Sequence, residues 1–443
     1  MAYRLVAAYH DRLLYVHDVG WHYWDGQRWA HDDIGAASRA VITVLRTALT
    51  ESLDDKQLRA DVRRCESHAG IHGVLGVAAA LTPFATTVRD LDPDPYLLNV
   101  ANGTLDLRTM ELAAHNPADR ITKVTRAAYT TDTSPGDWHR FLTTVLPNEP
   151  VRTYLQRVTG LSLCGKVIEH ILAILTGTGA NGKGTFYNAV LHALGDYGEA
   201  AEPDLFMHRE GAHPAGQMAL RGKRIVIVSE SDDHRRLAEA TMKRLTGGDP
   251  ITARYMRQNF VTFTPSHTAL LVTNHLPKVS GDDPAVWRRL RVIPFDVEIP
   301  PHQQDGHLDE KLQADADAIL TWTLNGWTDY QHHGLAEPPT VIAATDEYKT
   351  DNDTIARFIA EECTTTSPTL KATTTQLFEA WQHWRTKDGA EEMTRKAFGQ
   401  ALDRHGYPVT DKTRDGRWRA GIGRKIITTS ENTNNNQPTP HHP

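Results

Sequence analysis

Cysteine is scarce in this chain: Cys65, Cys164 and Cys363 are the only three among 443 residues, and they lie far apart. That excludes a disulfide-stapled framework and suits a reducing cytoplasm. Long apolar runs are missing too, and none approaches the roughly 18 residues that a membrane helix needs. The opening stretch MAYRLVAAYHDRLLYVHD lacks the basic, apolar, small-residue layout of a signal peptide. A cytoplasmic protein is expected. No excess of positive charge is present either, since the formal net charge is −7. Contact with nucleic acid must therefore come from local patches or a channel. What is there is ordinary for a globular protein, 40% hydrophobic and 23% charged.

The length suits roughly two to four domains. Residues 1–130 read as mixed α/β. Gly20 to Trp29 (GWHYWDGQRW) reads as a hairpin, because aromatics flank an Asp-Gly turn. Its three tryptophans either stack on a base or cap a small core, the second being the commoner use. Helical periodicity follows from about Ile34 to Leu81, and a short strand is expected at Leu105 and Leu107 after an Asn-Gly turn. Residues 131–165 read as a linker and a helical collar. A domain of alternating strands and helices, as in a parallel sheet, is expected over 166–301. A helical segment follows over 302–365, a small domain over 366–428, and an Asn-, Thr-, Pro- and His-rich disordered tail over 429–443. Cys65, His68 and His72 have metal-like spacing, but zinc wants four ligands and no second pair stands nearby.

The most informative stretch is GTGANGKGT, Gly177 to Thr185. It follows the apolar run Ile171–Leu175 and opens the apolar-periodic segment Phe186 to Leu194. Strand, glycine-rich loop and helix form the context of a phosphate-binding loop. Gly177, Gly179, Gly182 and Gly184 let the backbone curl until its N–H groups face phosphate oxygens. Asn181, Lys183 and Thr185 complete the expected ATP-binding set, with Lys183 reaching the β- and γ-phosphates. One irregularity stands out: Gly184 occupies the place where Ser or Thr usually holds Mg²⁺, and Thr185 follows it.

ATP hydrolysis also needs an acid, a polar sensor and a cation for transition-state charge. Arg224 to Val228 (RIVIV) is a β-branched run suited to a buried parallel strand, and Glu230 stands at its tip. Glu230 is the candidate for Mg²⁺, held through water. Ala269 to Val272 (ALLV) ends in Thr273-Asn274-His275, and Asn274 can hydrogen-bond both a γ-phosphate and a water. Between them, Leu245 to Asn259 starts as a Gly-Asp-Pro turn and continues as a basic hairpin bearing Arg254, Tyr255, Met256 and Arg257. It could present cations and a ring to single-stranded nucleic acid. Next come Arg288, Arg289 and Arg291 in WRRLRVIPF, which are costly unless they meet anions.

In this order GTGANGKGT, RIVIVSES, LTGGDPITARYM, LLVTN and WRRLRVIPF resemble the superfamily 3 helicases of phages, plasmids and large DNA viruses. The likeness is greatest to phage and plasmid primase–helicases and their poxvirus relatives, and it covers most of the chain. It implies an α/β architecture: a P-loop, AAA+-like helicase core, an α/β N-terminal domain and a C-terminal winged helix. It further implies an ATP- and Mg²⁺-dependent hexameric ring that unwinds DNA from 3′ to 5′. By position Lys183, Glu230, Asn274 and Arg289 are then the catalytic set, with Arg289 as an arginine finger reaching a neighbouring subunit. The segment Arg254 to Gln258 matches the family's pore hairpin. Many members carry two adjacent acids where this chain has Ser229-Glu230, and which hydroxyl touches Mg²⁺ stays open. No acidic metal-binding pair with a following histidine is apparent in 1–130, so primer synthesis is not expected and a separate primase is.

In the last domain Leu377, Trp381 and Trp384 share one helix face, and Phe398 and Leu402 share another on a helix that carries Arg395 and Lys396. Lys412 to Arg419 reads as a basic hairpin including Arg417. Helices with a basic wing suggest duplex DNA binding. Two other readings of the whole stay open: a DNA-packaging or partitioning ATPase, and an origin-binding protein that uses ATP as a switch.

Overall fold

The computed structural model describes residues 1–425 except 133, 135, 208–214, 231–235, 255–259, 280–282, 391 and 415, and the side chains at 204, 215 and 230 are outside the description. Two compact units are present, Met1–Tyr348 and Lys349–Pro443. The helical segment expected at 302–365 is thus divided. Its helix Thr354–Glu362 packs in the second unit, through Ile355 and Phe358.

Asp25 builds the N-terminal hairpin. Its carboxylate accepts from the Gln27 and Arg28 amides, each at 2.8 Å, and Trp24 is left opposite Trp29. The tryptophans serve packing. Trp29 is buried and donates to the Pro117 carbonyl at 2.8 Å, and Trp21 meets Phe84 edge-on. The periodic stretch after Ile34 forms three helices, Ala36–Glu51, Lys56–Cys65 and His68–Ala78. His68 and His72 face each other at 3.0 Å on the last of these. Among the described residues no group of three or more side chains is arranged to hold a metal. The expected strand after the Asn-Gly turn is Gly103–Asp106, in the middle of a three-stranded antiparallel sheet.

A five-stranded sheet organises the rest of the first unit. Its strands are β1 Leu172–Thr176, β2 Gly198–Ala201, β3 Ile225–Glu230, β4 Thr268–Thr273 and β5 Leu290–Pro294. They lie in the order β5-β1-β4-β3-β2, and every pair is parallel. Successive residues of a strand point to opposite faces. Here both faces are covered, which is why these strands read as unbroken apolar runs. Ile225 and Ile227 enter one core together with the helices Asp137–Val145, Glu149–Leu161, Lys183–Leu194 and Ala316–His333. Val226 and Val228 enter the other, with Met242 and Leu245 of the helix Glu239–Gly247. Among the described residues no helix is long and apolar enough to cross a membrane.

Two buried histidines give this unit an acid-sensitive stability. Burial pulls His267 down to about 4. It also pulls His22 down to about 4, against the opposing bond to the Gly20 carbonyl and helped by His31, Arg221 and Lys123. A histidine in the unfolded chain titrates near ~6.5. Between about 4 and about 6.5 the unfolded chain therefore binds protons that the folded one refuses, so stability falls as pH drops through that window and is complete above it. Each histidine should cost about 2 kcal/mol at pH ~5. Urea midpoints measured from pH 7 to 4 should show the decline, and His267→Leu should flatten it. An equally steep profile in that variant would remove His267 as a cause.

In the second unit the helices Thr354–Glu362, Thr374–Asp388 and Arg395–Arg404 share a core around Trp381 and Phe398. A three-stranded antiparallel sheet orders Lys371–Thr373, Gly416–Ala420 and Val409–Thr413. Arg419 ties hairpin to helices: buried to 2% exposure, it pairs with Asp403 at 2.6 Å and donates to the Gly399 carbonyl at 2.9 Å. Arg395, Lys396 and Arg417 are all exposed, and Thr394 caps the helix that bears the first two.

Candidate nucleotide-binding site

The loop from Gly177 to Gly182 leaves β1 at the C-terminal end of the sheet, and the helix Lys183–Leu194 begins directly after it. Gly177, Gly179 and Gly182 have φ of 155°, 106° and 83°, values that side-chain-bearing residues rarely adopt. Two of the three are also sterically required. A Cβ at Gly177 would fall 2.4 Å from the Phe295 carbonyl oxygen, and one at Gly182 would fall 2.5 Å from Val145. Asn181 pins the loop by donating to the Phe295 carbonyl at 3.1 Å. Gly184 is different: it is exposed, and a Cβ there would meet open space. Thr185 is half-buried one position further along the helix.

Lys183 is 4% exposed, and its ammonium is ringed by oxygens. It donates to the Gly177 carbonyl at 2.8 Å, to Asn181 Oδ1 at 3.1 Å and to Asn274 Oδ1 at 3.2 Å. Burial lowers its pKa. Asn274 itself is exposed, just beyond the tip of β4. The strand register explains the meeting. Thr176, Thr273 and Glu230 are Cα partners across β1, β4 and β3, so the three tips lie in one row. With neighbouring strands about 4.8 Å apart, the Glu230 backbone stands roughly 10 Å from the root of the loop. The Glu230 side chain is outside the description.

Arg289 does not join this group. It precedes β5, whose first residue Leu290 pairs with Leu172, so it stands at the opposite end of the sheet from the loop. It is 7% exposed and donates to the Ala285 carbonyl at 2.6 Å. Burial, then neighbouring Arg288, lowers its pKa. Arg288 is the exposed guanidinium of the pair, and Arg291 is ion-paired with Glu337.

The basic hairpin is present as the strands Ile251–Ala253 and Val261–Phe263. Tyr255, Met256 and Arg257, the residues expected to touch DNA, lie outside the described residues. Arg254 is described, and its guanidinium sits 4.5 Å from the centre of the Phe260 ring. Phe260 is 55% exposed, and sequence reading missed it. The signal was available: one phenylalanine just ahead of a strand whose own residues, Val261 and Phe263, account for its buried face.

Residues 2–147 match the family described as D5 N terminal like, and residues 175–289 match a family of unknown function, DUF5906. Over 379 residues the chain is 26% identical to "Putative helicase L207/L206" of Acanthamoeba polyphaga mimivirus, covering 80% of this chain and 40% of that protein. Over 340 residues it is 23% identical to "Putative helicase 022R" of Frog virus 3, covering 72% and 34%. Over 316 residues it is 24% identical to "Putative primase C962R" of African swine fever virus, covering 65% and 33%. The chain thus spans 40% or less of the length of these relatives. The last name leaves the expectation of no primer synthesis without support. Among solved structures, the apo NrS-1 C-terminal region aligns with a TM-score of 0.40 at 10% identity, over 67% of this chain and 76% of that one. The D5 N terminal-like segment and the helicase- and primase-named viral relatives fit the phage and viral primase–helicase family, to which the chain is similar.

Proposed function

We propose that the chain is an ATP-dependent DNA helicase, ring-forming and moving 3′ to 5′, that acts in the replication of a phage, prophage or plasmid. The observation that carries this reading is the meeting of Lys183 with Asn274 beside the Glu230 strand tip, in the order β5-β1-β4-β3-β2. That order puts one strand, β4, between β1, which leads into the loop before Lys183, and the acid-bearing β3, so a γ-phosphate lying over β4 would face both groups. The glycine cradle fits ATP, because its positive-φ backbone and the helix terminus behind it favour phosphate oxygens. Mg²⁺ would be held by the phosphates, by water and by Glu230, and would offset charge developing on the transferred phosphoryl group. In that role Lys183 binds phosphate and Asn274 orients the attacking water.

A cation from a neighbouring chain completes the site. Arg289 stands too far from its own loop to serve it, and a head-to-tail contact, which closes into a ring such as a hexamer, supplies it in trans. That requires its release from the Ala285 carbonyl, whereas exposed Arg288 needs no such release. Arg254, Tyr255, Met256 and Arg257 are assigned to the DNA strand in the pore. Arg395, Lys396 and Arg417, on a winged-helix-like unit, are assigned to duplex DNA.

The test is strand displacement on forks bearing a 3′ or a 5′ tail, with ATP and Mg²⁺. Displacement of the 3′-tailed fork alone is expected. Hydrolysis without displacement would replace this reading with a packaging or partitioning ATPase, and nucleotide binding without hydrolysis would replace it with an ATP switch.

A further inference from the structure

At the other end of the sheet from the glycine loop, a group of cations has no use in the proposed site. Two adjoining hollows, each of about 540 Å³, open between the N-terminal α/β region and the loops that enter β3 and β4. Both are lined by Thr122, Lys123 and Arg221, which therefore form their shared wall. Arg89 and Lys166 add positive charge to the first hollow.

Most cations nearby are already satisfied. Lys223 pairs with Glu199 at 2.9 Å, and Arg28 pairs with Asp25 at 3.3 Å and with Asp196. Arg224 donates to the Leu163 and Leu97 carbonyls. In the wall that the two hollows share, Lys123 and Arg221 are exceptions. Among the described residues neither has a carboxylate at ion-pair distance, and the only hydrogen-bond partner of the Lys123 ammonium is Thr122 Oγ1 at 3.3 Å. Asp92, the acid whose charge acts on Lys123, is engaged by the Thr122 amide at 2.8 Å and the Thr122 hydroxyl at 2.7 Å. Lys123 is half-buried. Burial pulls it down to about 8, with Asp92 opposing and Arg221, Lys223 and Arg28 adding to the fall.

Like charges kept together without a direct ion-pair partner, the nearby Asp92 being taken up by Thr122, are costly unless an anion joins them. A point-charge ammonium beside a forked guanidinium suits phosphate oxygens, and the paired hollows leave room on both sides for a ligand that continues past one phosphate. We propose that Lys123 and Arg221 form a second phosphate-binding site, separate from the nucleotide loop, that takes a polyphosphate or a nucleic-acid backbone.

The proposal goes beyond the helicase reading and is tested apart from it, in full-length Lys183→Ala protein. Pyrophosphate binding is measured by calorimetry and fluorescein-labelled dT20 binding by anisotropy. Lys123→Gln with Arg221→Gln should weaken at least one probe ~10-fold or more. Loss of pyrophosphate alone identifies a free polyphosphate ligand, and loss of dT20 identifies a nucleic-acid backbone. Arg221→Lys, which keeps the charge, should retain most of the binding. The double glutamine protein should melt no lower than its parent, because removing two like charges relieves repulsion. Should it fail to fold, a thermal shift decides: pyrophosphate and dT20 both leaving the Lys183→Ala melting temperature unchanged overturns the site. So does unaltered binding of both probes by the double variant.

Discussion

Lys183→Ala is expected to reduce ATP hydrolysis by ~100-fold or more at saturating ATP, while leaving the fold intact. Preorganised charge aimed at a transferring phosphoryl group contributes on that scale. The ammonium already faces three oxygens, those of Gly177, Asn181 and Asn274. Incoming phosphate oxygens would replace some of these partners, and the partly desolvated charge interacts more strongly with them than a solvated one would. The loop does not depend on the lysine for its shape. Asn181 keeps its bond to the Phe295 carbonyl, and the Ile299 amide donates to the Ala180 carbonyl at 2.9 Å. Phosphate release with and without single-stranded DNA gives the rate, and thermal melting checks the fold. A variant that keeps more than about a tenth of the parent rate at an unchanged melting temperature would show that this lysine does not carry the chemistry.

The core strands were legible because burial on both faces leaves an unbroken apolar run such as Ile225 to Val228, which needs no partner to be recognised. The loop was legible for a similarly local reason, since its glycines, lysine and flanking strand are contiguous. Relations between distant segments were not. Nothing in WRRLRVIPF says that Arg289 turns inward while Arg288 stays in water. That difference depends on the Ala285 carbonyl one helical turn earlier and on the helix Glu239–Gly247 lying beside it. The register of Thr176, Thr273 and Glu230 is a property of three strands at once. Lys123 and Arg221, 98 positions apart by their numbers, meet only after the N-terminal region has packed on the sheet. The division of the chain at Tyr348 was equally hidden, because the sequence there is continuously helical.

The second large effect concerns such a distant meeting. Alanine for glycine inside a helix ordinarily gains about 1 kcal/mol. At Gly326 the sign should reverse. Its helix, Ala316–His333, crosses Glu149–Leu161 so closely that a Cβ on Gly326 would lie 2.1 Å from the Gln156 carbonyl oxygen. The approach is reciprocal, since a Cβ on Gly160 would lie 2.1 Å from the Trp327 amide nitrogen. Both obstacles are backbone atoms, so no rotamer change relieves the clash and the helices must separate. Separation would loosen Trp327, Tyr154 and Leu324, all buried in the core under the sheet. It would also strain the 2.8 Å bond from the Gln156 side chain to the Trp322 carbonyl. Gly326→Ala should therefore cost about 3 kcal/mol or more, at the upper end for overpacked sites. Gly73 provides the control. It lies in the helix His68–Ala78, and a Cβ there would meet nothing within 4 Å. Urea unfolding of the full chain, followed by tryptophan fluorescence, should move to lower urea for Gly326→Ala and stay level or rise for Gly73→Ala. Equal shifts in the two variants would mean that the helices part freely, and that the glycines are not what sets their distance.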